Sequence, residues 1–216
     1  MPVYDKDRDC HINFIYTDIK SGENIAVEQI SLNDVPYVFE KENGSGISLT
    51  NINGSVSVSF EGGSVTFDSN SGEMTSFVSG GRELLSKKEG VPCGFVPSVY
   101  RAFSDNDIDS KNLWLDAGLD RLKRKCKYFA VYMGQSESVC IETYFDLISG
   151  RERLYHFAVN YYVAASGEVK TEAYLVSESD KAVSDIPCFG LDAFLCRDLE
   201  NVEYYGRGED ENYPDF

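Results

Sequence analysis

An arginine, three aspartates and an asparagine crowd into Arg101-Ala-Phe-Ser-Asp105-Asn106-Asp107-Ile108-Asp109, and the chain's only tryptophan, Trp114, follows closely. A guanidinium can fork onto a carboxylate or gather several carbonyls, fixing one backbone geometry. Asp and Asn bond their own backbone in turns, so Ser104 to Asp107 is predicted to leave a strand sharply. Asp105, Asp107 and Asp109 alternate as calcium ligands do. The places where such a loop wants glycine and glutamate hold Ser110 and Asp116, so no metal site is expected. The Trp114 ring could stack on a sugar face, but its neighbours Leu113, Leu115 and Leu119 favour the core.

A second polar cluster lies near the end of the sequence, at Gly206-Arg207-Gly208 and Glu211-Asn212-Tyr213. It follows a strand, but no helix comes after it to supply an amide nest, so it is not a phosphate loop. Local hydrogen bonding within a shaped loop is the expected role. His11 and His156 sit in alternating stretches without a partner motif and read as packed or surface residues.

The elements that must position these residues are mostly strands. His11–Tyr16 and Asn24–Leu32 alternate around a Ser21-Gly22 turn, a hairpin by period and turn chemistry. Residues 33–46 read as a linker. Ser55–Phe60, Ser64–Phe67 and Met74–Val78, separated by glycine turns, predict a meander. Leu113, Trp114, Leu115, Leu119 and Leu122 predict a short helix ended by the basic run Arg121–Lys127. Strands rich in Tyr, Phe and Val resume at Tyr128–Met133, Val139–Leu147, Tyr155–Val163 and Val169–Val176.

Composition narrows the function classes. The 216 residues are 42% hydrophobic and 13% aromatic, enough for a buried core. A formal charge of -16 repels nucleic acid and anionic membranes; a neutral sugar is indifferent to it. The six cysteines form no Cys-x-x-Cys pair and read as reduced thiols. The first residues lack an apolar h-region, and no run reaches the roughly 18 apolar residues of a membrane span. The cytoplasm is the expected compartment.

Tyr100-Arg-Ala-Phe-Ser-Asp-Asn-Asp107 resembles the Trp-Arg-Ala-Pro-Thr-Asp-Asn-Asp motif in the small-chain module of glycoside hydrolase family two β-galactosidases. Val202-Glu-Tyr-Tyr-Gly-Arg-Gly-Glu-Asp-Glu-Asn-Tyr-Pro-Asp215 is similar to a second motif of that module, Val-Glu-Trp-Tyr-Gly-Arg-Gly-Pro-x-Glu-Asn-Tyr-x-Asp-Arg. The resemblance implies an all-β fold: a large antiparallel β-sandwich of the galactose-mutarotase-like supersandwich kind, here incomplete. Residues 1–35 would be the tail of an immunoglobulin-like β-sandwich domain, and 36–216 the small-chain module without its C-terminal strands. Cys188, Glu209 and Phe216 depart from the family's arginine, proline and arginine.

Retaining glycoside hydrolysis needs two carboxylates about 5–5.5 Å apart. The resemblance places both on an upstream barrel, so this chain is expected to hold no catalytic residue and to be inactive alone. It would serve as a fragment or subunit of an enzyme hydrolysing terminal β-galactosides such as lactose. Arg101, Asp105, Asn106, Asp107, Asp109 and Trp114 would form a strand exit or a lid beside the sugar site, although Asp109 stands where the family often has glycine. No cofactor is expected in this chain, since the family's magnesium and sodium belong to the barrel. Substrate would be met only through that barrel, and a complementary β-galactosidase segment or a second copy would cover open sheet edges. No nucleic-acid or membrane partner is expected. The rival reading is a stand-alone carbohydrate-binding β-sandwich.

Overall fold

The computed structural model describes residues 7–33, 35, 46–86, 94–134, 138–177, 179–183 and 185–204. The 206–213 motif and Cys93 lie outside them. The chain divides into two compact units, Met1–Glu40 and Lys41–Phe216.

In the first unit, alternation yields β1 (His11–Thr17) and β2 (Asn24–Ser31), paired antiparallel from His11 opposite Ser31. Asp18 closes the turn by accepting the amides of Lys20 and Ser21. Those bonds favour the ionised form and hold its carboxyl below the usual range. Asn33 ties the base, accepting from the Cys10 amide and donating to the Arg8 carbonyl. Ile15, Ile25 and Val27 stay exposed, because a two-stranded hairpin has no second layer of its own.

The second unit opens with a five-stranded antiparallel sheet in chain order: β3 (Ser48–Ile52), β4 (Ser55–Phe60), β5 (Gly63–Asp68), β6 (Glu73–Ser79) and β7 (Arg82–Glu83). After β8 (Val96–Ser98) and helix α1 (Lys111–Ala117), a four-stranded meander follows: β9 (Lys123–Met133), β10 (Ser138–Ser149), β11 (Glu152–Ala164) and β12 (Val169–Ser177). A last strand, β13 (Gly190–Asp192), returns to pair with β8.

Period-2 alternation turns Val58, Val65 and Phe67 of one sheet toward Ile141, Phe157, Val159 and Tyr161 of the other, in a single apolar cluster. Phe67 lies at its centre, 5.0 Å from the Tyr161 ring and 6.5 Å from Phe129. Burying a side chain of that size contributes about 1.5–3 kcal/mol. Two antiparallel sheets closing one core make the unit a β-sandwich. Among the described residues, β9 and β12 are the unpaired margins of the four-stranded sheet.

Several elements differ from their predicted extents. Part of the predicted linker borders β3, which turns into β4 through Asn53-Gly54, with φ of 52° and 85°. Paired positive φ values are what a two-residue type I′ hairpin demands, and Asn-Gly supplies them at least strain. The helix does not run to the basic stretch. It stops at Gly118 (φ 75°), whose amide returns to the Leu115 and Trp114 carbonyls, and a single 3-10 turn, Leu119–Arg121, follows. The basic residues instead open β9. Its exposed edge tolerates Lys and Arg, and their charge hid the strand period. Cys10, Cys126, Cys140, Cys188 and Cys196 are free thiols. Among the described residues, no helix is long and apolar enough to cross a membrane.

Candidate functional site

The stretch between β8 and α1 is built around one ion pair. Arg101 Nη1 and Nη2 donate to Asp107 Oδ2 and Oδ1 at 2.6 and 3.1 Å, and Nη1 also bonds the Ala102 carbonyl. The Ser104 amide and hydroxyl both donate to Asp107 Oδ2, at 2.6 and 2.9 Å. Asp107 closes a 3-10 turn, Asp105–Asp107, and is buried. The Arg101 guanidinium, with the Ser104 donors behind it, holds its carboxyl well below the usual carboxylate range.

The remaining polar residues of the stretch do not converge. Asp105, Asn106 and Asp109 are exposed, while Asp107 spends its oxygens on Arg101 and Ser104. Among the described residues, no group of three or more His, Cys, Asp or Glu side chains is placed to hold a metal ion.

Trp114 anchors the stretch to the sandwich. Its ring is 3% exposed and stacks on Phe103 at 6.0 Å, and Phe103 meets Tyr100 edge-on at 6.0 Å. The indole N–H donates to the Asp185 carbonyl at 2.6 Å, and Ser110 Oγ donates to the Asp185 carboxylate. In this structure the ring is therefore a packing element rather than a plate offered to solvent.

Two buried tyrosines of β11 brace the flanking segments. The Tyr155 hydroxyl donates to the Val183 carbonyl at 2.7 Å and accepts the Val183 amide at 2.9 Å. Tyr161 donates to the Phe95 carbonyl at 2.9 Å, and burial pushes both phenols up. Arg124 reaches the Pro97 carbonyl. None of these braces was legible in the sequence, because each joins segments far apart in the chain. Ser104 carried a weak local signal, a serine three residues before an acid.

One recess borders α1, and another lies beside the 3-10 turn that follows it. A groove of about 590 Å³ runs along Leu113, Asp116 and Ala117 to Glu152 and Lys181, which form an ion pair at 3.0 Å. A smaller recess of about 180 Å³ lies among Ser98, Tyr100, Leu119, Arg124 and Asp192. Glu83 is a structural clamp, accepting the amides of Phe77 and Leu85 and the Ser76 hydroxyl. Glu28 accepts the Tyr16 hydroxyl on the exposed hairpin.

The unit is an antiparallel β-sandwich whose strand exit is locked by an Arg–Asp fork, and comparison with known proteins gives it a family. Residues 59–216 match the family described as Beta galactosidase small chain, and the chain belongs to it. A Beta-galactosidase of Halalkalibacterium halodurans is 27% identical over 184 residues, 82% of this chain and 17% of that protein. One from Kluyveromyces lactis is 27% identical over 201 residues, 91% of this chain and 19% of its own length. One from Priestia megaterium is 28% identical over 154 residues, 69% and 13% respectively. The matched region is thus under a fifth of each of these relatives.

Proposed function

We propose that this chain acts as the non-catalytic small-chain portion of a β-galactosidase, with the bond-breaking carboxylates and the magnesium and sodium sites residing on a barrel domain. The observation that carries the reading is the family match over residues 59–216, within which the Arg101–Asp107 fork falls. Residues 1–35 serve as the end of a preceding immunoglobulin-like domain and 36–216 as the module itself. The stretch Arg101–Asp109, anchored by Trp114, borders the sugar site as a lid or a fixed wall; lids gate water and complete a site without performing the chemistry. A complementary β-galactosidase segment covers the margins of β9 and β12, since open edges invite pairing. A terminal β-galactoside such as lactose meets the chain only through the barrel, and the assembly works in the cytoplasm.

The test is complementation. A β-galactosidase polypeptide lacking its small-chain segment is mixed with this chain and supplied with a chromogenic galactoside. Activity from the pair, and from neither part alone, is the expected result. Hydrolysis by the purified chain alone, abolished by Glu211→Gln, overturns the non-catalytic reading.

A further inference from the structure

The groove beside α1 is assembled from three separate pieces of chain. Helix α1 gives it Leu113, Asp116 and Ala117, the β10–β11 hairpin gives Ser149, Glu152 and Leu154, and residues 180–183 close the far side. The helical positions are spaced i, i+3 and i+4 and so share one face. Each wall is held in place by bonds of its own: Trp114 pins α1 to Asp185, and Tyr155 grips the Val183 peptide twice. The volume of about 590 Å³ falls within the roughly 300–1,000 Å³ of clefts that take ligands.

Floor and rim differ in kind. On the floor, Leu154 and Val183 are 2% and 7% exposed, and Ala117 and Ala182 pack against the same core. At the rim, Leu113 is 54% exposed. Asp116 and Asp180 are exposed as well, and neither has a hydrogen-bond or ion-pair partner among the described residues. Lys181, the one described cation of the lining, is already held by Glu152 at 3.0 Å. The groove is therefore an apolar bed edged by two uncompensated carboxylates. A wholly aliphatic occupant leaves those carboxylates partly desolvated without a partner. An acidic one is repelled, and a second copy of this chain brings a formal charge of -16. Lysine and arginine meet both demands, because the alkyl stem lies along apolar surface while the charged head reaches a carboxylate.

We infer that the groove docks a segment of a partner polypeptide that sets an aliphatic residue beside a lysine or arginine. The aliphatic side chain rests on Leu154 and Val183 and against Leu113, and the cation meets Asp116 and Asp180. Both carboxylates stay in contact with water, so they select the partner's charge more than they add affinity. An interface this small is weak and transient. It uses neither the Arg101–Asp107 fork nor the margins of β9 and β12, and it does not rest on the small-chain reading.

The experiment titrates the full chain with a short dye-labelled peptide alternating leucine and arginine, read by fluorescence anisotropy. One matched peptide has serine in place of leucine, and another has glutamate in place of arginine. Saturable binding of the first is expected, about fivefold weaker binding of the serine peptide, and none of the glutamate peptide. Asp116→Asn combined with Asp180→Asn weakens the first about fivefold, the scale of two exposed ion pairs. Leu113→Gln weakens it by a similar factor. Glu23→Lys, on the exposed β1–β2 hairpin, makes the same change in net charge as the paired aspartate variant and leaves binding unchanged. All four positions are exposed, and circular dichroism melts verify that the variants fold. Absence of saturable binding overturns the inference. So does equal binding of the serine peptide, or a loss from Glu23→Lys as large as from the paired variant, since either makes the attraction one of net charge alone. Binding that a folded Leu113→Gln protein retains in full overturns it as well.

Discussion

Trp114→Phe isolates what pins the Arg101–Asp109 stretch to the sandwich. The substitution keeps an aromatic ring against Phe103 but removes the indole N–H that donates to the Asp185 carbonyl at 2.6 Å. Asp185 is itself exposed and the bond only part-buried, so losing its donor costs about 1 kcal/mol. Trimming the bicyclic ring to a phenyl forfeits about 1 kcal/mol more in buried contact. A total of roughly 2 kcal/mol lowers the melting temperature by about 4–8 °C for a domain of this size. Scanning calorimetry measures the shift, and limited proteolysis of residues 101–110 follows the loosening directly. The wild-type chain offers a control, because its tryptophan emission comes from this one indole and a side chain 3% exposed emits at short wavelength. A variant melting within about 2 °C of wild type, with unchanged proteolysis, refutes the assignment of Trp114 as the anchor.

Asp107→Asn removes a carboxylate whose pKa is depressed in the folded state by the Arg101 fork. A depressed pKa adds stability above the unfolded value, near 3.9, and that contribution fades on acidification. The melting difference between wild type and variant should therefore be full at pH 6–7 and shrink below about pH 4. A difference that grows on acidification contradicts the pair. Gly118→Ala places a Cβ 2.4 Å from Ser149 Oγ at a φ of 75°, and should destabilise by more than about 1 kcal/mol in urea unfolding. Tyr155→Phe strips two bonds from the Val183 peptide, whereas Tyr161→Phe strips one from Phe95. The first should cost about 2–4 kcal/mol in chemical denaturation and the second about half as much.

Local patterns carried much of the architecture. The hairpin of β1 and β2 and the alternation of β4 and β5 follow from period and turn chemistry within a few residues. Two strands escaped for different reasons. β3 adjoins a glycine- and serine-rich stretch, and its exposed Ser48, Thr50 and Asn51 leave it little apolar period. The first half of β9 is a basic run in which only Cys126 packs inward, so no apolar period marks it. The Arg101 and Asp107 chemistry is local, six positions apart, and its residue types announce a fork. Asp185 and Phe95 are 71 and 66 positions from their partners Trp114 and Tyr161. Only the closed sandwich brings them together, and neither backbone carbonyl has a residue signature to read.

The basic start of β9 has a consequence for how such sheets meet. Lys123, Arg124, Lys125 and Lys127 form a cationic selvedge on a molecule of formal charge -16. Any alignment that lays this hem against its own duplicate sets ammonium opposite ammonium, which is destabilising across a strand pair. Stacking of like molecules into a growing ribbon is discouraged at this border, whereas a foreign strand bearing acidic groups is drawn to it. One charged run thus rejects a seam between identical edges.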